Sequence, residues 1–260
     1  MTIIKKMRLS ALVALTIFGA IPLATFAQTD EIQVYDASIA PQGKFNLTWH
    51  NNFTPDGLKT AAFPGGIIPD RSFNGVTEWA YGLTDWLELG LYLPLYSISK
   101  NHDATINGGK IRLLFVKPHA ADHTFFYGAN FEFSYNATYW EPVRFTSEIR
   151  PIIGVHLHPV DIIINPILDN SFRGGFASLD FAPAGRIAYN FTPKFALAAE
   201  SYSDVGPLRA VLPTRFESHE VWGVFDRGTK IGSFEGGIGF GVTPASDKIT
   251  LKLMFSRDLN

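Results

Sequence analysis

The chain has 260 residues, of which only 18% are charged while 46% are hydrophobic and 14% aromatic, with 22 Phe, 23 Gly and 16 Pro. This aromatic content, with a net charge of -2, excludes a disordered chain, and the absence of any Lys/Arg cluster excludes a phosphate-tracking nucleic-acid surface. Beyond the first two dozen residues no apolar run approaches the ~18 to 20 residues of a membrane-spanning helix, which leaves β structure at a membrane or outside the cytoplasm.

Residues 1–27 have the three parts of a cleavable secretory signal: basic Lys5, Lys6 and Arg8, an apolar run from Leu9 to Leu23, and small Thr25 and Ala27. Cleavage is expected after Ala27, and removal of the three bases makes the remainder more acidic. The chain contains no cysteine, hence no disulfide framework and no lipid-attachment thiol. Residues 28–42 lie outside the pattern that follows and read as a periplasmic lead-in or a short plug folded into a lumen.

From Gly43 to the end, residues 43–260, side chains alternate with period two, the signature of strands with one apolar and one polar face. Phe45, Leu47 and Trp49 open the series. Thr77, Trp79, Tyr81 and Leu83 lead through a tight turn at Thr84-Asp85-Trp86 into Leu87, Leu89, Leu91, Leu93 and Leu95, interleaved with Glu88, Gly90, Tyr92 and Pro94. Ile111, Leu113 and Phe115 follow, then Phe125, Tyr127, Ala129, Phe131, Phe133 and Tyr135. Next come Ile149, Ile153, Val155 and Leu157; Ile162 and Ile164; Leu179, Phe181, Ile187 and Tyr189; and Phe195, Leu197 and Ala199. A weaker strand around Val221 to Phe225 precedes Phe234, Ile238 and Phe240 and the final Ile249, Leu251, Leu253 and Phe255. The pattern predicts twelve strands.

Predicted connections after odd strands are long, and those after even strands are short. An even strand count with this alternation describes a transmembrane antiparallel up-and-down β-barrel of the bacterial outer membrane, all-β and single-domain. Lipid offers no partner to backbone groups, so a spanning sheet has to close on itself, and a charge near the midplane of its outer face costs ~2 to 4 kcal/mol. Thirteen strand charges all fall opposite the apolar set: Glu78, Glu88, Lys110, Arg112, Glu132, Glu148, Arg150, Asp161, Asp180, Arg186, Glu200, Glu235 and Lys252. They are expected to line the lumen, as a polar permeation path or as structural ion pairs filling it.

His119 and His123 flank Asp122 in one short turn, and His156, His158 and Asp161 occupy the next, so the two sets could meet at a rim and hold a transition metal; solvated turn residues are the commoner outcome. A hydrolase would need Ser, His and a carboxylate or amide to converge, but Ser218 and His219 are adjacent on a strand and point to opposite faces. No Gly-x-Ser-x-Gly elbow or P-loop is present, and no enzyme activity or cofactor is expected.

The segment Tyr81-Gly82-Leu83-Thr84-Asp85-Trp86-Leu87-Glu88-Leu89-Gly90, with Ile32-Gln33-Val34-Tyr35-Asp36 and Arg150-Pro151-Ile152-Ile153-Gly154, resembles outer-membrane barrels of the group labelled MetA-pathway of phenol degradation and related porin-like transporters. The resemblance implies an outer-membrane location and a transport role, with no catalytic residues. One departure is the end, Ser256-Arg257-Asp258-Leu259-Asn260, where many such barrels carry a terminal aromatic residue. The expected function is a porin-like path for small molecules through a charged lumen. Its partners are outer-membrane lipid, the barrel assembly machinery and an unidentified solute. The alternatives are a nonconducting structural or adhesive barrel and, after it, an outer-membrane hydrolase.

Overall fold

The computed structural model describes residues 31–172 and 175–259; the expected signal sequence, residues 1–27, lies outside them. The described chain forms β1 (Phe45–Asp56), β2 (Phe73–Gly82), β3 (Leu87–Ile98), β4 (Ala104–Val116), β5 (Phe125–Asn136), β6 (Phe145–His156), β7 (Val160–Asn165), β8 (Leu168–Asn170), β9 (Asp180–Phe181), β10 (Ala184–Thr192), β11 (Phe195–Asp204), β12 (Ser218–Gly228), β13 (Ser233–Gly241) and β14 (Ile249–Asp258). Neighbours in sequence pair antiparallel, and the first and last strands pair with each other, with Trp49 opposite Phe255 and Asn51 opposite Leu253. The short β8 and β9 prolong β7 and β10 past Pro166 and Pro183, where proline removes a ladder donor. The wall therefore has twelve staves and no free edge.

The long connections, such as residues 57–72, 137–144 and 205–217, gather at one rim; the short ones, such as residues 83–86, 157–159 and 193–194, gather at the other. At Thr84-Asp85-Trp86 the turn closes through Leu83 N–H and Thr84 N–H donating to Leu87 O at 2.9 and 3.1 Å.

The outer surface is aliphatic at mid-height, with Leu89, Leu91, Ile111, Ile164, Ile187, Leu197, Ile238 and Leu253 all exposed. Aromatic pairs border this band toward both rims. Phe45–Tyr81 at 4.6 Å and Phe234–Phe255 at 4.9 Å lie at the short-turn end, and Tyr135–Phe145 at 5.4 Å and Phe73–Tyr96 at 6.3 Å at the other. A twelve-residue strand rising ~3.3 Å per residue and tilted by ~40° covers about 30 Å, the hydrocarbon thickness of a bilayer. An outer face of this composition, on a barrel of this height, is built for lipid.

Two readings of facing are corrected. Leu95, expected on the apolar outer face, is fully buried against Val76 and Tyr92, because β3 carries one extra residue at Leu93-Pro94: Tyr92 pairs with Lys110 but Leu95 with Gly108. Both Leu93 and Pro94 point outward there, and the alternation flips beyond them. Leu179 is buried in the loop before β9 and does not face lipid. The strand read weakly around Val221 is in fact eleven residues long.

Residues 31–41 run inside the barrel. Val34, Tyr35 and Ala37 pack on Leu114, Val116, Phe126, Ile152, Ile163 and Ala184 of the inner wall, and Ile32 packs on Trp222 and Val224 of the opposite side. The segment leaves past Gly82 at the short-turn rim, where Gln42 bridges to that residue; a Cβ there would lie 2.3 Å from Ala40 O. Only glycine admits this approach.

Candidate functional site

The inner wall and the enclosed segment form one polar system. Tyr35 is at its centre: its N–H donates to Asn165 Oδ1 at 2.7 Å, and Asn165 Nδ2 donates back to Tyr35 O at 3.1 Å. Its hydroxyl sits 2.6 Å from Tyr92 Oη and accepts from Arg112 Nη1 at 2.8 Å. Two guanidinium groups cover its ring, Arg150 at 4.3 Å and Arg112 at 5.3 Å from the centroid. Arg150 Nη1 also donates to Gln33 O at 3.1 Å, Lys252 Nζ to Ile32 O at 3.1 Å, and Ala40 N–H to Glu88 Oε2 at 2.5 Å.

The thirteen strand charges are all buried or half-buried, and twelve of them fall into ion pairs. Arg112 bridges Glu78 at 2.5 Å and Glu88, while Glu78 also meets His50 at 3.1 Å. Lys110 pairs with Glu132 at 3.5 Å, and Arg150 with Glu148 at 2.7 Å. Across the lumen Arg186 contacts Glu200, Asp226 and, at 3.5 Å, Glu235, while Lys252 reaches Glu200 at 2.5 Å and Glu235 at 2.6 Å. Asp161 binds His156 Nδ1 at 2.7 Å near the short-turn rim. Asp180 is the thirteenth, and it faces a cavity.

That cavity occupies the long-loop half of the barrel and measures about 460 Å³. Glu31, Ile32 and Gln33 form its floor, Asn52, Asn74, Ser134 and Thr250 part of its wall, and Leu58, Phe63, Ile67 and Trp140 its roof. The roof is held by loop contacts: Ile67 N–H donates to Tyr139 O at 3.0 Å, and Leu58 N–H to Asp247 Oδ1 at 2.7 Å. Burial among these loops pushes the Glu141 carboxyl up to about 7, with Asp180 adding to the effect, and raises Asp247 as well. Sequence reasoning missed His50, Glu31, Asp169, Glu220 and Asp226. His50, Glu220 and Asp226 lay just past the strand ends as drawn, and only alternation carried further along β1 and β12 exposes them.

The histidines do not converge. His119 Nε2 lies 3.8 Å from Asp85, His156 pairs with Asp161, and His123 and His158 are exposed. No group of three His, Asp or Glu among the described residues is placed to hold a metal ion.

One Ser–His–carboxylate contact exists, although it is not the Ser218–His219 dipeptide. His219 Nδ1 is 2.8 Å from Ser203 Oγ, and His219 Nε2 is 2.9 Å from Glu217 Oε2. The backbone donors beside Ser203 are engaged: its own N–H with Pro183 O, Val205 N–H with Phe181 O and Gly206 N–H with Asp204 Oδ1. Among the described residues these three donors are therefore taken up by other acceptors, and the Ser203–His219 contact ties β11 to β12.

No protein-family model and no curated protein matches the chain. Solved structures of similar fold are outer-membrane channels. An outer membrane channel from Pseudomonas putida F1 superimposes with a TM-score of 0.57 at 16% identity, over 88% of this chain and 100% of that one. The KdgM porin superimposes at 0.54 with 8% identity, over 83% and 99%, and its complex with disordered oligogalacturonate at 0.53 with 7% identity over the same shares. These likenesses are of fold, and the fold is the porin-like barrel that the sequence resemblance implies.

Proposed function

We propose that the protein is an outer-membrane porin-like channel that gives small polar molecules a path through its charged lumen. The supporting observation is the 460 Å³ cavity at the long-loop end, walled by carboxylates and amides and floored by a non-barrel segment and not by wall side chains. A structural barrel would fill this space, as eight-stranded barrels fill theirs. Residues 31–41 serve as a plug, residues 1–27 as the export signal and lipid as the external solvent, with insertion by the barrel assembly machinery. The thirteen strand charges then act as the lining of the route. The oligogalacturonate held by KdgM, a chain of uronic acids, is a poor guide to the solute, because the wall of this cavity is itself rich in carboxylates.

Planar-bilayer recording of the folded protein tests the reading. Discrete conductance steps are expected, larger in a chain lacking residues 31–40; a silent bilayer with both proteins would favour the nonconducting barrel.

A further inference from the structure

The geometry points to the long-loop cavity as a binding site for an organic cation, an ammonium or amidinium group carried on an apolar body. This deepens the channel reading and rests on it only for the route by which the solute arrives. Nine carboxylates line the cavity against two bases, Lys110 and Arg150. Both bases are occupied, Lys110 by Glu132 at 3.5 Å and Arg150 by Glu148 at 2.7 Å. Glu141, Asp169, Asp180, Asp204, Glu220 and Asp247 have no Lys or Arg within ion-pair distance among the described residues.

Register makes the imbalance specific. Glu132 stands opposite Glu148 across β5 and β6, Glu148 opposite Asp169 across β6 and β8, and Asp169 opposite Asp180 across β8 and β9, so four carboxylates follow one another along a single row of the sheet. Directly opposed like charges destabilise a ladder; the row reaches a base only at Arg112, opposite Glu132, and Arg150, two residues along β6, pairs with Glu148, so both bases lie away from Asp169 and Asp180. Glu31 adds an independent sign. Its side chain is almost wholly buried and borders the cavity; Arg150 is 3.6 Å away, yet neither carboxylate oxygen accepts a hydrogen bond. A buried carboxylate without a donor is costly, and a cationic guest with N–H groups would supply one.

The size and the remaining surface define the guest. A volume of 460 Å³ suits a small organic molecule, far exceeding a bare ion, and the carboxylates do not gather in threes at metal-ligand spacing among the described residues. Phe63, Trp140, Ile167 and Tyr202 border the same space and offer an apolar and aromatic resting place for the body of an alkylated cation.

Isothermal titration of the full-length protein folded in detergent, with benzylammonium as probe, tests the assignment. Saturable binding is expected, at least tenfold tighter than that of benzyl alcohol, with none for benzoate. The Asp169→Asn/Asp180→Asn variant, isosteric and checked for folding by its heat-dependent gel shift, should bind at least fivefold more weakly. Asp258→Asn, outside the cavity, should bind unchanged. Benzyl alcohol or benzoate binding as well as the cation, unchanged affinity in the double variant, or displacement by equimolar Mg²⁺ would each overturn the proposal. Binding needs no ion flow, so binding without bilayer conductance would sink the channel reading alone, and conductance without binding would sink this one alone.

Discussion

Arg150 of β6 lies over the ring of Tyr35, its guanidinium carbon 4.3 Å from the centroid, while the same group holds Glu148 and the carbonyl of Gln33. One wall residue thus grips the interior segment by its backbone and by its aromatic side chain. Arg150→Ala is expected to release the segment, raising both mean conductance and its flicker in bilayer records. Arg150→Lys should restore little, because an ammonium cannot pair with the carboxylate in bidentate fashion while lying over the ring. Unaltered single-channel traces from Arg150→Ala would show that the grip is elsewhere.

Lys252 is completely buried between Glu200 and Glu235, at 2.5 and 2.6 Å. Truncation to Met leaves two enclosed carboxylates and one base, Arg186, to compensate them, and should cost ~3 to 5 kcal/mol. Urea unfolding in lipid vesicles measures this. The double variant Lys252→Met/Glu200→Gln should recover a substantial part of the loss, and a double variant no better than the single one would show that the loss arises from packing.

Gly82 lies against the backbone of Ala40 and Pro41 where the segment leaves the barrel. Gly82→Val therefore requires the segment or the wall to move, and since the wall is a closed ladder, the segment should yield. Faster proteolytic cleavage within residues 31–42, with the barrel itself intact on a gel, is the expected outcome. Cleavage at the wild-type rate would mean that the exit has slack.

Glu141, pushed up to about 7 by burial in the roof of the cavity, is neutral in mildly acid solution and charged above neutrality. Cation selectivity, read from the reversal potential in a salt gradient, should rise between pH 6 and 8, and Glu141→Gln should flatten the rise. The sign for stability is opposite. Between its ordinary 4.5 and about 7 the folded chain holds this proton more tightly than the unfolded chain does, so the contribution to stability is present at low pH and fades as pH climbs through 7.

Leu91 and Leu251 are exposed on the outer face. Arginine at either should lower stability in vesicles by ~2 to 4 kcal/mol, whereas in a protein whose outer face met water the same change would be nearly neutral. Equal stability of Leu251→Arg and wild type would deny the lipid-facing band.

The wall was legible because lipid imposes one unbroken rule, apolar outward at every second residue, and few residues defy it. Leu95 does so because an extra residue at Leu93-Pro94 reverses its face, and proline alone cannot tell a bulge from a strand end. The interior was less legible. Residues 31–41 have no period, and their partners lie far away in the chain: Tyr35 meets Asn165 across 130 positions and Lys252 meets Ile32 across 220. Charges such as Arg186 and Glu235 could be placed on one face from their strands, but which acid meets which base depends on stave order and register around the closed wall. The cavity was out of reach for a related reason, since its roof is made by loops whose conformations follow no alternation.

The segment inside the barrel is continuous with β1, and β1 zips to β14 through partners running from Asn46–Asp258 to Phe53–Leu251. The first strand and the last thus meet at a seam whose leading end carries the filling of the tube. A newly made chain cannot close that seam and thread the filling afterwards without drawing eleven residues in past Gly82. Laying the N-terminal stretch into the open sheet before the two ends join avoids that passage.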